Sequence, residues 1–181
     1  MRKIGFLVFC ASLFLLCFNS FTLKARAADD SSVSSGSASE INYELPYPGL
    51  LPDNPLYFLR VIRDRIVGFL ISDPLKKSEF DLLQADKRLN AGIYLFNKGK
   101  ISLAFSTISK AENYFEEAID KIKEAKTQRE DVNGTQGNLE NALKKHEQEL
   151  SILAEKSNAN YKASFQNELK RVTGFEERLN Q

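Results

Sequence analysis

The chain has 181 residues, one histidine, two cysteines and no tryptophan, with 25 basic and 24 acidic side chains. So even a balance sets up no global field toward nucleic acid, and no nucleic-acid partner is expected. Both cysteines, Cys10 and Cys17, fall in the first twenty residues, so the rest of the chain holds neither a disulfide nor a thiolate site.

Arg2 and Lys3 precede an apolar run from Ile4 to Leu23, and Lys24-Ala25-Arg26-Ala27 ends it with small residues at the positions a signal peptidase reads. This predicts a signal peptide over residues 1–27, with an uncleaved membrane anchor as the rival reading, because the run is long for a signal and just long enough to span a bilayer. Without those residues the chain keeps 21 basic against 24 acidic side chains, a net charge of −3. The expected location is outside the cytoplasm, either secreted or attached to the outer face of the cytoplasmic membrane. Membrane contact is expected only through the N-terminal segment, if it is uncleaved.

Residues 28–42 are rich in serine and contain little that a core would use, which predicts a flexible linker. Residues 43–181 are expected to form a single helical domain. It opens with Tyr43-Glu44-Leu45-Pro46-Tyr47-Pro48-Gly49-Leu50-Leu51-Pro52. Three prolines favour an extended course, and the apolar side chains between them predict a proline-rich strap lying across helices.

The fold class expected is all-α, a bundle of about four helices with a helical hairpin over 74–126 at its centre. In the first helical segment Asp53 or Asn54 would cap, with Pro55 at the first helical position. Its apolar stripe of Leu59, Ile62, Ile66, Phe69 and Leu70 is assigned to the core, in preference to a membrane-surface helix, because a bundle needs such a stripe to close. Ser72-Asp73-Pro74 starts the second segment, where Leu75, Leu82, Leu89 and Phe96 recur every seven residues, and Gly99 suits a left-handed cap. The third segment has a coiled-coil-like seam: Ile101, Ala104, Ile108, Ala111, Phe115, Ala118, Ile122 and Ala125 alternate spacings of three and four. The short junction at Asn97–Lys100 makes the second and third segments an antiparallel hairpin.

Asn133 to Asn138 reads as a loop, with Asn138 capping a last helix. There Leu139, Leu150, Tyr161 and Val172 recur every eleven residues. That helix either overhangs the bundle or breaks, with Ser157–Asn160 and Thr173-Gly174 as its weak points.

Reaction chemistry is not found, and no catalytic, cofactor-binding or metal-binding residue is assigned. His146 shares a helical face with Leu139, Leu143 and Leu150 and reads as a partly buried packing residue. The string His146-Glu147-Gln148-Glu149-Leu150 has leucine where a zinc protease needs its second histidine. Glu112, Glu116, Glu117 and Asp120 lie off the seam among lysines and read as a solvated face. Arg63, Asp64 and Arg65 are expected to pair with Asp86, Lys87 and Arg88 across the first hairpin.

The run YELPYPGLLPDNPLYFLRVIRDRI, followed by SDPLKKSEFDLLQADKRL and NKGK, resembles a family of small exported bacterial helical proteins classed as a domain of unknown function. The resemblance implies a secreted or envelope-attached helical domain and brings no catalytic residue. Together these features predict a non-enzymatic module that binds another envelope or extracellular protein, or serves as a scaffold. The alternative is a bundle that takes a small ligand or cation on Tyr94, Tyr114, His146 and Tyr161.

Overall fold

The structure, a computed structural model, describes residues 41–181. The expected signal peptide, and the linker up to residue 40, lie outside them. The described residues hold five helices and no strand: α1 (Tyr57–Leu70), α2 (Pro74–Asn97), α3 (Ile101–Thr127), α4 (Asn133–Lys156) and α5 (Ala159–Leu179).

Helices α2 to α5 form an up-down-up-down bundle, with α2 packed most closely on α3 and α4 on α5. Local signals set the ends of the first hairpin. Asp73 accepts a hydrogen bond from the Lys76 amide at 2.8 Å, and Pro74 follows at the first helical position. Gly99 turns the chain at φ +74°, and the Lys100 amide donates back to the Leu95 carbonyl at 3.0 Å.

The α3 seam behaves as its spacing predicts: from Ala104 to Ala125 its members are fully buried. Small buried residues of α2 meet it: the Ser78 hydroxyl donates to the Ala118 carbonyl at 2.8 Å, and Gly92 lies against Ala104 and Ile108. At Gly92 a Cβ would stand 2.2 Å from Ile108 Cγ1, so the approach of the two helices requires glycine there.

The second half departs from expectation. Residues 133–138 are not a loop but the first turns of α4, where Thr135 is buried and donates to Glu79 at 2.9 Å. Tertiary contact of this kind overrides the weak helix propensity of asparagine and glycine. The last helical segment does not overhang. It ends at Ser157, Asn158 accepts from the Tyr161 amide at 3.3 Å, and the chain folds back as α5. Thr173-Gly174 stays inside α5. The eleven-residue spacing is therefore split between two antiparallel helices and is not the repeat of one. Arg171 and Arg178 of α5 reach Glu116 on α3, and Arg178 also bonds Asp120 at 2.7 Å, pinning α5 across the bundle.

Helix α1 begins at Tyr57, two residues after the expected start, because Asn54 caps a preceding turn at the Leu56 amide, 2.9 Å away. It runs antiparallel to α2, with Gly68 against Phe80. Its orientation overturns the core-facing assignment. Asp64 is its sole buried residue, while Leu59, Ile62, Ile66, Phe69 and Leu70 are all more than half exposed. The reason lies in the partner surface: α2 to α5 already close a core among themselves. What α1 meets is the segment before it and the side of α2 that carries Lys77, Phe80 and Lys87. Arg60 donates to the carbonyls of Pro48 and Leu50 and pairs with Asp64, so the charged face turns inward.

Candidate functional site

Four elements converge on one buried polar cluster. His146, from the middle of α4, is fully buried. Its Nδ1 lies 3.1 Å from both carboxylate oxygens of Glu112 on α3, and its Nε2 lies 3.1 Å from Asp86 Oδ1 on α2. The hydroxyl of Tyr43, from the segment before α1, donates to Asp86 Oδ2 at 2.7 Å. Glu112 and Asp86 are themselves buried, and the Phe115 ring lies 4.8 Å from the imidazole.

With a carboxylate on each ring nitrogen, the arrangement is satisfied only when both nitrogens carry protons and donate. Burial opposes the charged imidazolium, but the facing Glu112 carboxylate, then the hydrogen bonds to Asp86 and Glu112, outweigh it. Together they push the His146 pKa up to about 9. At neutral pH the group is therefore an imidazolium between two carboxylates. On Tyr43, burial and the adjacent Asp86 charge push the phenol further up, so it stays a hydrogen-bond donor.

This chemistry is that of a lock. General base catalysis or metal ligation requires a free ring nitrogen, and His146 has both engaged with carboxylates. Among the described residues no group of three or more histidine, aspartate and glutamate side chains stands in metal-binding geometry. The hydrogen bonds instead join the segment around Tyr43 to α2, α3 and α4 at one level of the bundle. Nearby, Asn90 donates to the Pro46 carbonyl at 2.9 Å and holds the same segment along α2. Shallow grooves of about 500 and 520 Å³ lie beside this segment, both with Tyr43 in their walls.

Several expectations change here. His146 is a charged junction, not a partly buried packing residue. Glu112 is fully buried and so is no part of a solvated face, whereas Asp120 is exposed. The two charged runs of the first hairpin do not pair: Asp86 bonds His146 and Tyr43, Arg63 bonds its neighbour Asp64, and Arg88 bonds Gln84. Tyr94, Tyr114, His146 and Tyr161 do not share a site. Tyr94 is exposed, Tyr114 lies under the Arg88 guanidinium, and Tyr161 packs on Phe105.

The sequence signals for the cluster are present but diffuse. Asp86 and Glu112 each follow a buried alanine, Ala85 and Ala111, by one residue, which rotates them toward the neighbouring helix pair. A lone histidine on the α4 seam completes the set. A second polar junction also escapes sequence reasoning: Lys77 bonds the buried Asp81 at 2.5 Å, and burial holds that carboxyl above its usual range despite the lysine.

A helical bundle with a closed ionic junction and an added, outward-facing amphipathic helix is thus the class that fold and site define. The chain belongs to the family of the domain of unknown function DUF5667, whose model matches residues 49–172. No curated protein and no solved structure matches it.

Proposed function

We propose that this protein is an exported, non-enzymatic module that binds a component of the cell envelope through a helix face. The observation that carries the reading is α1, whose large apolar side chains are turned to solvent, with Phe69 86% and Leu70 70% exposed. Contiguous exposed apolar surface on a folded domain marks an interaction site. The apolar run before Lys24 and the serine-rich residues after it support export, as leader or as anchor and spacer. The polar interior supports a structural role, since its one imidazole is committed to two carboxylates.

Photo-crosslinking in producing cells tests this. A benzophenone side chain placed at Phe69 should give a specific adduct that is lost when Ile62 and Ile66 are changed to glutamine. The same probe at Glu124, an exposed polar site on α3, should give none. No adduct from Phe69, or equal labelling from both sites, would refute the reading.

A further inference from the structure

The outward face of α1 carries a more specific pattern than exposed apolar surface alone. At about 100° per residue, Phe58, Phe69, Ile62, Ile66, Leu59 and Leu70 fill one continuous arc of about 120°. Each of them is more than half exposed. Arg65 stands roughly 20° beyond one edge of the arc and Arg63 roughly 20° beyond the other. Both are exposed. The one acid of the helix, Asp64, points the opposite way, buried beneath Arg60 and Arg63. The outward field of α1 is therefore wholly cationic, around an apolar centre.

Beside this helix, Arg60, Arg63 and Lys87 line a shallow depression of about 210 Å³ with Tyr47, Pro48 and Leu50. Arg60 is spent on backbone carbonyls and shares Asp64 with Arg63, so the trio keeps one net positive charge, presented to solvent by the exposed Arg63. Lys87 makes no ion pair among the described residues, and Tyr47 stands 78% exposed at the rim. This is a seat for an anionic group at the edge of an apolar face.

We infer that α1 lies flat on an anionic lipid surface, its apolar arc among the acyl chains and Arg63, Arg65 and Lys87 among the phosphates. The inference rests on the interaction reading above and names its partner. A convex helix with cations on both flanks suits a planar interface, where guanidinium groups reach up to the headgroups while the stripe between them is buried. A second copy of the chain suits it less, because a two-fold pairing of α1 sets arginines against arginines. None of the described helices is long and apolar enough to cross a membrane, so α1 rests on the surface.

The chain has no tryptophan, so Phe69→Trp in the full chain gives a single reporter. The protein is reconstituted into vesicles of phosphatidylcholine, alone or mixed with phosphatidylglycerol, with or without lipids brominated near the glycerol end of the acyl chains. In the mixed vesicles the emission should shift to the blue and be quenched by the brominated lipids. Adding Ile62→Gln and Ile66→Gln should abolish the quenching while leaving the helical circular dichroism unchanged. Arg63→Gln and Arg65→Gln should each weaken the docked state about fivefold, the worth of about 1 kcal/mol per basic residue near an anionic surface.

Red, unquenched emission in the mixed vesicles would overturn the inference. So would blue emission that brominated lipids leave untouched, which would place protein on the face. In either case a specific adduct from the Phe69 crosslinker leaves the interaction reading standing, and its absence removes both.

Discussion

Replacing His146 by glutamine removes the one cation that holds Asp86 and Glu112 together inside the bundle, and the loss is readable as a change in pH dependence. The sign follows from the direction of the shift. The imidazole binds its proton more tightly in the folded state, with a pKa of about 9 against an ordinary value of 6.5. Its contribution to stability is therefore complete below pH 6.5 and lost as pH rises through 9. At about 1.4 kcal/mol per pH unit, that gap corresponds to on the order of 3 kcal/mol. With an m-value near 2 kcal/mol per molar urea, the wild-type midpoint should fall by roughly 1.5 M between about pH 6.5 and pH 9.5.

The variant should lose this pH dependence. At about pH 6.5 it leaves two buried carboxylates without their shared cation, a loss of about 3–5 kcal/mol. Across the same pH window its stability should then be nearly flat, and subtracting its curve from the wild type cancels the α-amine and the thiols of Cys10 and Cys17. A direct reading needs no variant: with a single histidine, the imidazole nitrogen resonances are unambiguous and should report both nitrogens protonated at neutral pH, with a midpoint at about 9. A midpoint at or below 6.5, or a wild-type urea midpoint that does not move across the window, would refute the assignment of the junction as ionic.

Other outcomes follow from the same contacts. Tyr43→Phe removes a hydrogen bond to an ionised carboxylate and should cost about 1.5–3 kcal/mol by urea denaturation, with faster proteolytic cleavage in residues 41–52. Gly92→Ala should destabilise by about 1–3 kcal/mol because its Cβ meets Ile108. In a double-mutant cycle Ile108→Ala should relieve part of that loss, and a stabilised Gly92→Ala would show that helix propensity governs the site. Asp73→Ala and Asn158→Ala should each cost about 1 kcal/mol through a lost helix cap, read as a lower thermal midpoint. Ile122→Ala, in the closed core, should cost about 2–5 kcal/mol.

How much of this is legible in the sequence depends on how local the cause is. Helix ends written in a single side chain or a glycine are readable: Asp73-Pro74 and Gly99 act within one turn. The α3 seam is readable because eight positions agree on one face. The turn at Ser157-Asn158 is visible only as a weak point, since nothing local decides whether a chain that pauses there continues or reverses. The start of α4 is misread because Thr135 is held by Glu79 from another helix, a contact with no local trace. The His146 junction is the least legible. Each member sits on a different element, and both of its carboxylates look like ordinary surface acids until the helices are placed.

Helix α1 fails for a different reason, and it connects structure to function. Periodicity reports that a helix has an apolar face but not which way the face points. The core-facing assignment assumes that the bundle needs another wall. Four helices with Phe115, Phe165, Leu89, Leu139 and Ile122 fully buried already meet that need. The energetic consequence is asymmetric. Turning α1 over would bury its leucines and isoleucines, but it would also strip Asp64 of its shelter and take Arg60 from the carbonyls of Pro48 and Leu50. The segment before α1, itself tied to the bundle through Tyr43 and Asn90, thereby dictates the helix orientation. Ile62→Gln with Ile66→Gln should accordingly leave the urea midpoint within the equivalent of about 0.5 kcal/mol of wild type, as surface changes do. A loss on the core scale expected for Ile122→Ala would mean that the stripe faces inward after all, and the outward surface proposed for binding would not exist.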